Sequence, residues 1–326
     1  PPTATNGTSG GSLSLDAQAN TGGGGGAGSY WENNVSAWRY RGSGAGGSGI
    51  VIVRYPITPE PEFAATVATG GDEVKDVVDK DGYWRVHKFT TPGAATLNVT
   101  QVGSHGVEFL VVAGGGSGGN GGTTNANGGG GGGGVVHGSS YQITSTGNIP
   151  VTVGVGGARI PYRQDNNGNE GVDSYFGNFR ARGGGGGGGR GSGGSRNSTP
   201  GGSGGGGAEY NNTQGNNNTQ PAIVTGTANG SDYSASGFGN RGGKRWQRWT
   251  GAGGGGAGSF GIDGNYQTYP MRSGDGGIGY YSTIEGEPKW YAGGGGGGAN
   301  SSERSGDGWH GGGKGFGRTT YWDYNS

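Results

Sequence analysis

The sequence predicts an all-β chain with little or no helix. The expected parts are a small antiparallel β-sheet or sandwich and a polyglycine II helix bundle with long loops. Three observations lead there. Glycine makes up 91 of 326 residues and falls in uninterrupted runs at 22–26, 128–134, 183–189, 204–207, 253–256 and 293–298, with shorter ones at 114–116 and 311–313. Short apolar, β-branched segments lie between some of them. No stretch keeps apolar residues at helical spacing, and glycine interrupts nearly every window.

A glycine run has no side chain to bury and loses the most backbone entropy on ordering. It is therefore disordered or packed backbone against backbone. A hydrophobic fraction of 28% and a mean hydropathy of −0.65 favour disorder. Aromatics at 10% are too many for a flexible linker. Collagen is excluded, because the runs lack a Gly-X-Y period and prolines number only 12. Polyglycine II has three residues per turn and a rise of about 3.1 Å, so seven glycines span about 22 Å. Its N–H and C=O groups point outward and need partners once buried. Neighbouring rods supply them, since no Cβ holds the axes apart, and aromatic inserts would cap the rod ends.

The elements follow in chain order. Residues 1–56 form a glycine-rich segment with an aromatic patch, Tyr30-Trp31 to Trp38-Arg39-Tyr40, and end in the strand Gly49-Ile-Val-Ile-Val-Arg-Tyr55. Pro56, Pro59 and Pro61 mark a stiff boundary. Residues 57–113 read as a small β domain. Its strand signals are Val67–Val78, the alternating Tyr83–Phe89, a turn at Thr91-Pro-Gly93, Leu97 with Val99, and Val107–Val112. A stretch of about 50 residues gives a marginal core by itself. Residues 114–326 alternate glycine runs with polar and aromatic loops, and Val151-Thr-Val-Gly-Val155 is the clearest strand there.

Composition also limits function. Net charge is zero, from 22 basic and 22 acidic residues, which gives no electrostatic case for nucleic acid or an anionic membrane. No run of 18 apolar residues exists, so no membrane span is expected. Cysteine is absent. A chain opening Pro1-Pro2 without a signal peptide reads as a fragment or processed product. Gly308-Trp-His-Gly-Gly-Gly-Lys314 fits part of a phosphate-binding loop, but Gly315 replaces the Ser/Thr that would hold magnesium. His87, His105, His137 and His310 lack metal-ligand spacing, and His87 and His105 read as surface or sheet residues. No catalytic residue, cofactor or metal is expected. Arg241-Gly-Gly-Lys-Arg-Trp-Gln-Arg-Trp249 is the one basic-aromatic cluster. It suits an exposed loop or a glycan contact better than single-stranded nucleic acid, given neutral charge and no repetition. Trp31, Trp38, Trp246, Trp249, Tyr280, Tyr281, Trp290, Trp309 and Trp322 are the candidate surface or assembly contacts.

Gly46-Gly-Ser-Gly-Ile-Val-Ile-Val-Arg-Tyr-Pro56 resembles the end of glycine-rich repeat modules of phage tail-fibre and appendage proteins. Ala68-Thr-Gly-Gly71, Trp84-Arg-Val-His-Lys-Phe-Thr90 and Val107-Glu-Phe-Leu-Val-Val-Ala-Gly-Gly-Gly116 resemble the start of such a module. Ile149–Gly157, Asp173–Gly177 and Tyr291–Gly298 continue the likeness. The composition is also similar to that of polyglycine-rich phage fibre-tip adhesins. The resemblance implies a non-enzymatic structural protein, extracellular or on a virion surface. Its expected partners are other copies of itself and a host cell-surface glycan or protein. The alternatives are a bacterial extracellular filament or adhesin, or a glycan-binding module. The module end precedes the module start, so the chain reads as one register-shifted repeat or as a subunit completed by a neighbour. Pairing of Ile50–Val53 with the 63–113 sheet of the same chain would favour a self-contained module, and pairing with an adjacent copy would favour a filament.

Overall fold

The computed structural model describes residues 15–28, 42–57, 64–121, 126–161, 164–191, 194–195, 197–208, 215–244, 249–264, 272–299 and 304–316. These residues contain no helix. The strands are β1 (Ile50–Pro56), β2 (Val67–Thr69), β3 (Glu73–Asp79), β4 (Gly82–Phe89), β5 (Gly93–Gln101), β6 (Val107–Val112), β7 (Val135–Tyr141) and β8 (Gly147–Val153). They continue as β9 (Ser174–Phe176), β10 (Phe179–Ala181), β11 (Arg190–Gly191), β12 (Gly194–Ser195), β13 (Ile223–Gly226), β14 (Tyr233–Phe238), β15 (Tyr280–Ser282) and β16 (Lys289–Tyr291). A seven-stranded sheet runs β13-β14-β7-β6-β1-β4-β3 and a five-stranded sheet β10-β9-β8-β5-β2; β11-β12 and β15-β16 are two-stranded. Every strand pair is antiparallel.

β1 shows why its sequence is continuously apolar. It lies between β6 (Ile50↔Val112) and β4 (Val51↔Phe89), with both faces covered. Val51, Val53 and Tyr55 enter the core between the two large sheets, with Leu97, Phe109, Ile149, Phe176 and Phe179. Phe109 lies 4.6 Å from Phe179 and 5.2 Å from Phe176 between ring centroids. Ile50 and Ile52 face the other way, with Val86, Leu110 and Val135, under Ile284, Tyr291 and Ala292. β1 pairs with β4 and β6 along almost its whole length.

The sandwich draws strands from all three sequence segments. Residues 57–113 supply β2–β6, residues 1–56 supply β1, and β7–β10, β13 and β14 come from beyond residue 113. The physical reason is core size: the aromatic centre needs Tyr141, Phe176 and Phe179 to enclose Phe109. His87 is a buried sheet residue, 1% exposed. Its Nδ1 lies 2.7 Å from the Gly70 carbonyl and its Nε2 lies 3.0 Å from Tyr55 Oη. Burial pushes its pKa down, so the neutral ring donates to Gly70 and accepts from Tyr55. The Ala68 N–H also donates to Tyr55 Oη. Tyr55→Phe strands the His87 and Ala68 groups and is expected to lower stability by about 1–3 kcal/mol in a urea melt.

Strands run directly into glycine rods: β6 into 113–121, β10 into 182–189 and β16 into 292–299, while 42–49 leads into β1 and 126–134 into β7. Rod 126–134 shows the packing rule. The N–H groups of Gly128, Gly131 and Gly134 donate to the carbonyls of Gly188, Gly185 and Arg182. Those of Gly129 and Gly132 donate to Ala252 and Gly255, and those of Gly130 and Gly133 to Gly25 and Gly22. Its carbonyls accept from Ala113, Gly116 and Gly119, from Ser203 and Gly206, and from Gly295 and Gly298. All these bonds measure 2.7–3.1 Å. The partner changes with every residue and returns after three, the repeat of polyglycine II. One rod thus bonds six neighbours: every N–H from Gly128 to Gly134 donates, and every carbonyl from Asn127 to Gly132 accepts, as does that of Gly134. Rod 292–299 repeats the pattern, donating in turn to residues 277 and 274, 130 and 127, and 313 and 316.

Outer rods keep glycine only where they face inward. In rod 154–161, Gly154, Gly157 and Ile160 accept from Gly49, Gly46 and Ser43, while Val155 and Ala158, three apart, are exposed. A side chain every third residue on the solvent facet ends the lattice there.

Candidate functional site

Two features present residues for contact: the far end of the bundle and the β15–β16 hairpin. Hydrogen-bond register fixes the first. Gly28 bonds Gly119, Gly298 bonds Asn127, Asn216 bonds Gly205 and Gly264 bonds Lys244. Ala299 bonds Phe316, and Thr250 and Arg272 form isolated bridges with Ala299 and Arg304. Rods 22–28, 113–121, 182–189, 199–208 and 292–299 run away from the sandwich and end at this level, and rods 126–134, 250–257 and 272–279 start there. The connecting segments 29–41, 122–125, 209–214, 245–248, 265–271 and 300–303 therefore all depart from one end of the lattice. In sequence they carry Trp31, Trp38 and Trp246, and Trp322 follows Phe316. These four candidates lie outside the described residues. Trp249 stands at the same end, 44% exposed, with φ at 86°.

The other four candidates gather at the opposite end, beside the sandwich. Tyr280 pairs with Tyr291 and Tyr281 with Trp290 across the hairpin. The pleat sends the first pair inward and the second outward. Tyr280 is half-buried: it packs 4.4 Å from Phe238 and its Oη lies 3.0 Å from His137 Nδ1. Tyr281 is 49% exposed and meets Trp290 edge to face at 5.1 Å. Trp290 also stacks on His310, 4.0 Å apart at 6°. Trp309 is exposed beside it, 6.1 Å from His310 between ring centroids. His310 occupies the left-handed region at φ 47° and Gly311 follows at φ 93°, making the turn that brings the imidazole back onto Trp290. Burial lowers the His310 pKa, and its Nδ1 accepts the Gly279 N–H at 3.1 Å.

Buried charge fixes the hairpin. Glu285, 2% exposed, accepts from Lys289 at 2.6 Å, from Tyr291 Oη at 2.5 Å and from Lys88 of β4 at 3.0 Å. Burial alone would raise its pKa; the Lys289, Tyr291 and Lys88 hydrogen bonds outweigh that and hold it at about 2. Burial and the adjacent Glu285 carboxylate push the Tyr291 hydroxyl pKa up. A second network joins Asp79, Arg54, Glu108 and His137, with Arg54 bonding Asp79 at 2.7 Å and Glu108 at 2.6 Å. Burial opposes the charge on Glu108, but His137 and Arg54 hold its pKa below the ordinary glutamate value.

Sequence reasoning missed His310 and Glu285. Both depend on long-range partners, and no local spacing marks them. Among the described residues no group of three or more His, Asp or Glu side chains is placed to hold a metal ion. Nor is there, among the described residues, a helix long and apolar enough to cross a membrane. No curated protein and no solved structure matches the chain. A family model described as a glycine-rich domain matches residues 90–325, most of the chain. With its glycine rods and the strands that lead into them, the chain belongs to this glycine-rich domain family.

Proposed function

We propose that the chain is a non-enzymatic display module of an extracellular fibre, on a virion surface as part of a phage tail fibre or appendage. The observation that carries this reading is the departure of every connecting segment named above from one end of the lattice. A rod bundle cross-bonded through its backbone, with up to six neighbours for a central rod, has few soft modes, so it holds the bases of those segments at fixed spacing. The lattice then serves as a scaffold, and the segments contact a host cell-surface glycan or protein. Assembly with other copies belongs to the same reading, since tryptophan suits both kinds of contact.

The test is replacement of residues 29–41 and 245–248 by Gly/Ser linkers of equal length. Fluorescently labelled parent protein is expected to stain at least one strain in a panel of bacteria by flow cytometry. The replacement should abolish that staining and leave the melting temperature unchanged. Equal staining by parent and variant, or no stained strain at all, contradicts the proposal.

A further inference from the structure

We infer that the Tyr281–Trp290–His310–Trp309 surface, at the sandwich end of the molecule, is a saccharide-binding site distinct from the connecting segments at the far end. The inference stands without the fibre reading.

Three features carry it. The rings are held in place before any ligand arrives. Tyr280 and Tyr291, next to Tyr281 and Trp290 on the hairpin, are anchored against the seven-stranded sheet, and Glu285 ties the hairpin to Lys88. Binding therefore costs little side-chain ordering. Second, aromatic surface is open to solvent. Tyr281 is 49% and Trp309 36% exposed, and the edge-to-face pair of Tyr281 and Trp290 makes a corner rather than a flat stack. The negative face of an aromatic ring attracts the electron-poor C–H bonds on the apolar side of a pyranose.

The third feature separates a sugar from a protein partner. Nδ1 of His310 accepts the Gly279 N–H, so the neutral ring carries its proton on Nε2. That N–H and the indole N–H groups of Trp290 and Trp309 have no acceptor among the described residues. An apolar protein surface laid over this cluster would bury three unpaired donors, each at a cost. A ligand edged with hydroxyl groups offers an acceptor beside every C–H face. The chemistry thus selects a polyhydroxylated ring over a hydrophobic protein surface.

The experiment applies four proteins to an array of bacterial O-antigens and capsular polysaccharides with dextran and mannan: the parent, Tyr281→Ala, Trp309→Ala and Trp309→Phe. The variant with 29–41 and 245–248 replaced is run beside them. At least one glycan is expected to be retained whose binding falls more than about tenfold in Tyr281→Ala and Trp309→Ala. Trp309→Phe, which keeps a ring and loses the N–H, should fall between. The segment replacement should leave this binding intact, so loss in that variant alone speaks to the fibre reading and not to this one. Tyr281 and Trp309 are exposed, and unchanged melting temperatures verify that their variants fold. No glycan dependent on Tyr281 or Trp309 overturns the site. So does a dimer in sedimentation that Tyr281→Ala converts to monomer, which would show a second copy covering the surface.

Discussion

Gly131→Ala is expected to unfold the bundle, whereas Gly298→Ala is expected to leave it standing. Both residues sit in rods, and both changes add one methyl group. A Cβ on Gly131 would fall well inside van der Waals contact with the Ser203 carbonyl oxygen and 2.8 Å from that of Gly204. Those atoms are backbone of a neighbouring rod and cannot rotate away. Moving the rod breaks the three-residue register in which Gly131 donates to Gly185 and accepts from Gly116. Each lost bond between buried groups costs about 1–3 kcal/mol, on top of an overpacking term of about 1–3 kcal/mol. The sum is comparable to the whole stability of an ordinary domain, about 5–15 kcal/mol. Gly131→Val adds a branch and should be worse. At Gly298 the nearest atoms to the added Cβ are the Phe316 and Gly28 carbonyl oxygens, at 3.2 and 3.3 Å. Small adjustment suffices there, and a loss of about 1 kcal/mol or less is expected. Melting temperatures of the two variants give the comparison. Similar values would count against close-packed rods.

The second large effect concerns Glu285. Its folded pKa of about 2 lies below the ordinary 4.5, so the ionised form stabilises the fold. The contribution is fully present above the unfolded pKa, near 4.5, and is lost as pH falls through the folded value, near 2. A shift of that size corresponds to about 3 kcal/mol. Glu285→Gln keeps the shape but removes the charge that Lys88 and Lys289 share, leaving two ammonium groups facing a neutral amide. A destabilisation of about 3 kcal/mol at neutral pH is expected, and the variant should lose the part of the acid sensitivity between about pH 4.5 and 2 that Glu285 supplies. Urea melts of both proteins across that range read the effect directly. Parallel pH profiles for parent and variant would show that Glu285 does not clamp the hairpin.

The long glycine runs and the apolar strands could be read from the chain because each is a local signal. Seven consecutive glycines at 128–134 suit the centre of a lattice, where every facet meets another rod. The outer rods were hidden for the converse reason. Rod 166–172 reads Asn-Asn-Gly-Asn-Glu-Gly-Val, and only Gly168 and Gly171 are required to be bare, since an added Cβ there would meet Ser117 and Gly114 carbonyl oxygens. Two glycines three apart are common in such a composition and mark nothing. The hairpin gives a similar lesson. Tyr280 and Tyr281 are adjacent and chemically identical, yet one is anchored against Phe238 and the other is exposed. Only the pairing with Tyr291 and Trp290 decides which. The spread of the sandwich over all three segments depends on pairings such as Phe238↔Val135, which no local pattern encodes.

Amide hydrogen exchange tests the backbone lattice most directly. A core strand such as β6 sets the reference for protection within the same molecule. If rod 126–134 is bonded to six neighbours, its amides exchange as slowly as those of Val107–Val112, although the glycines bring no side chain to a core. Exchange of 126–134 at the rate of an unstructured glycine peptide, with β6 protected, would contradict the account.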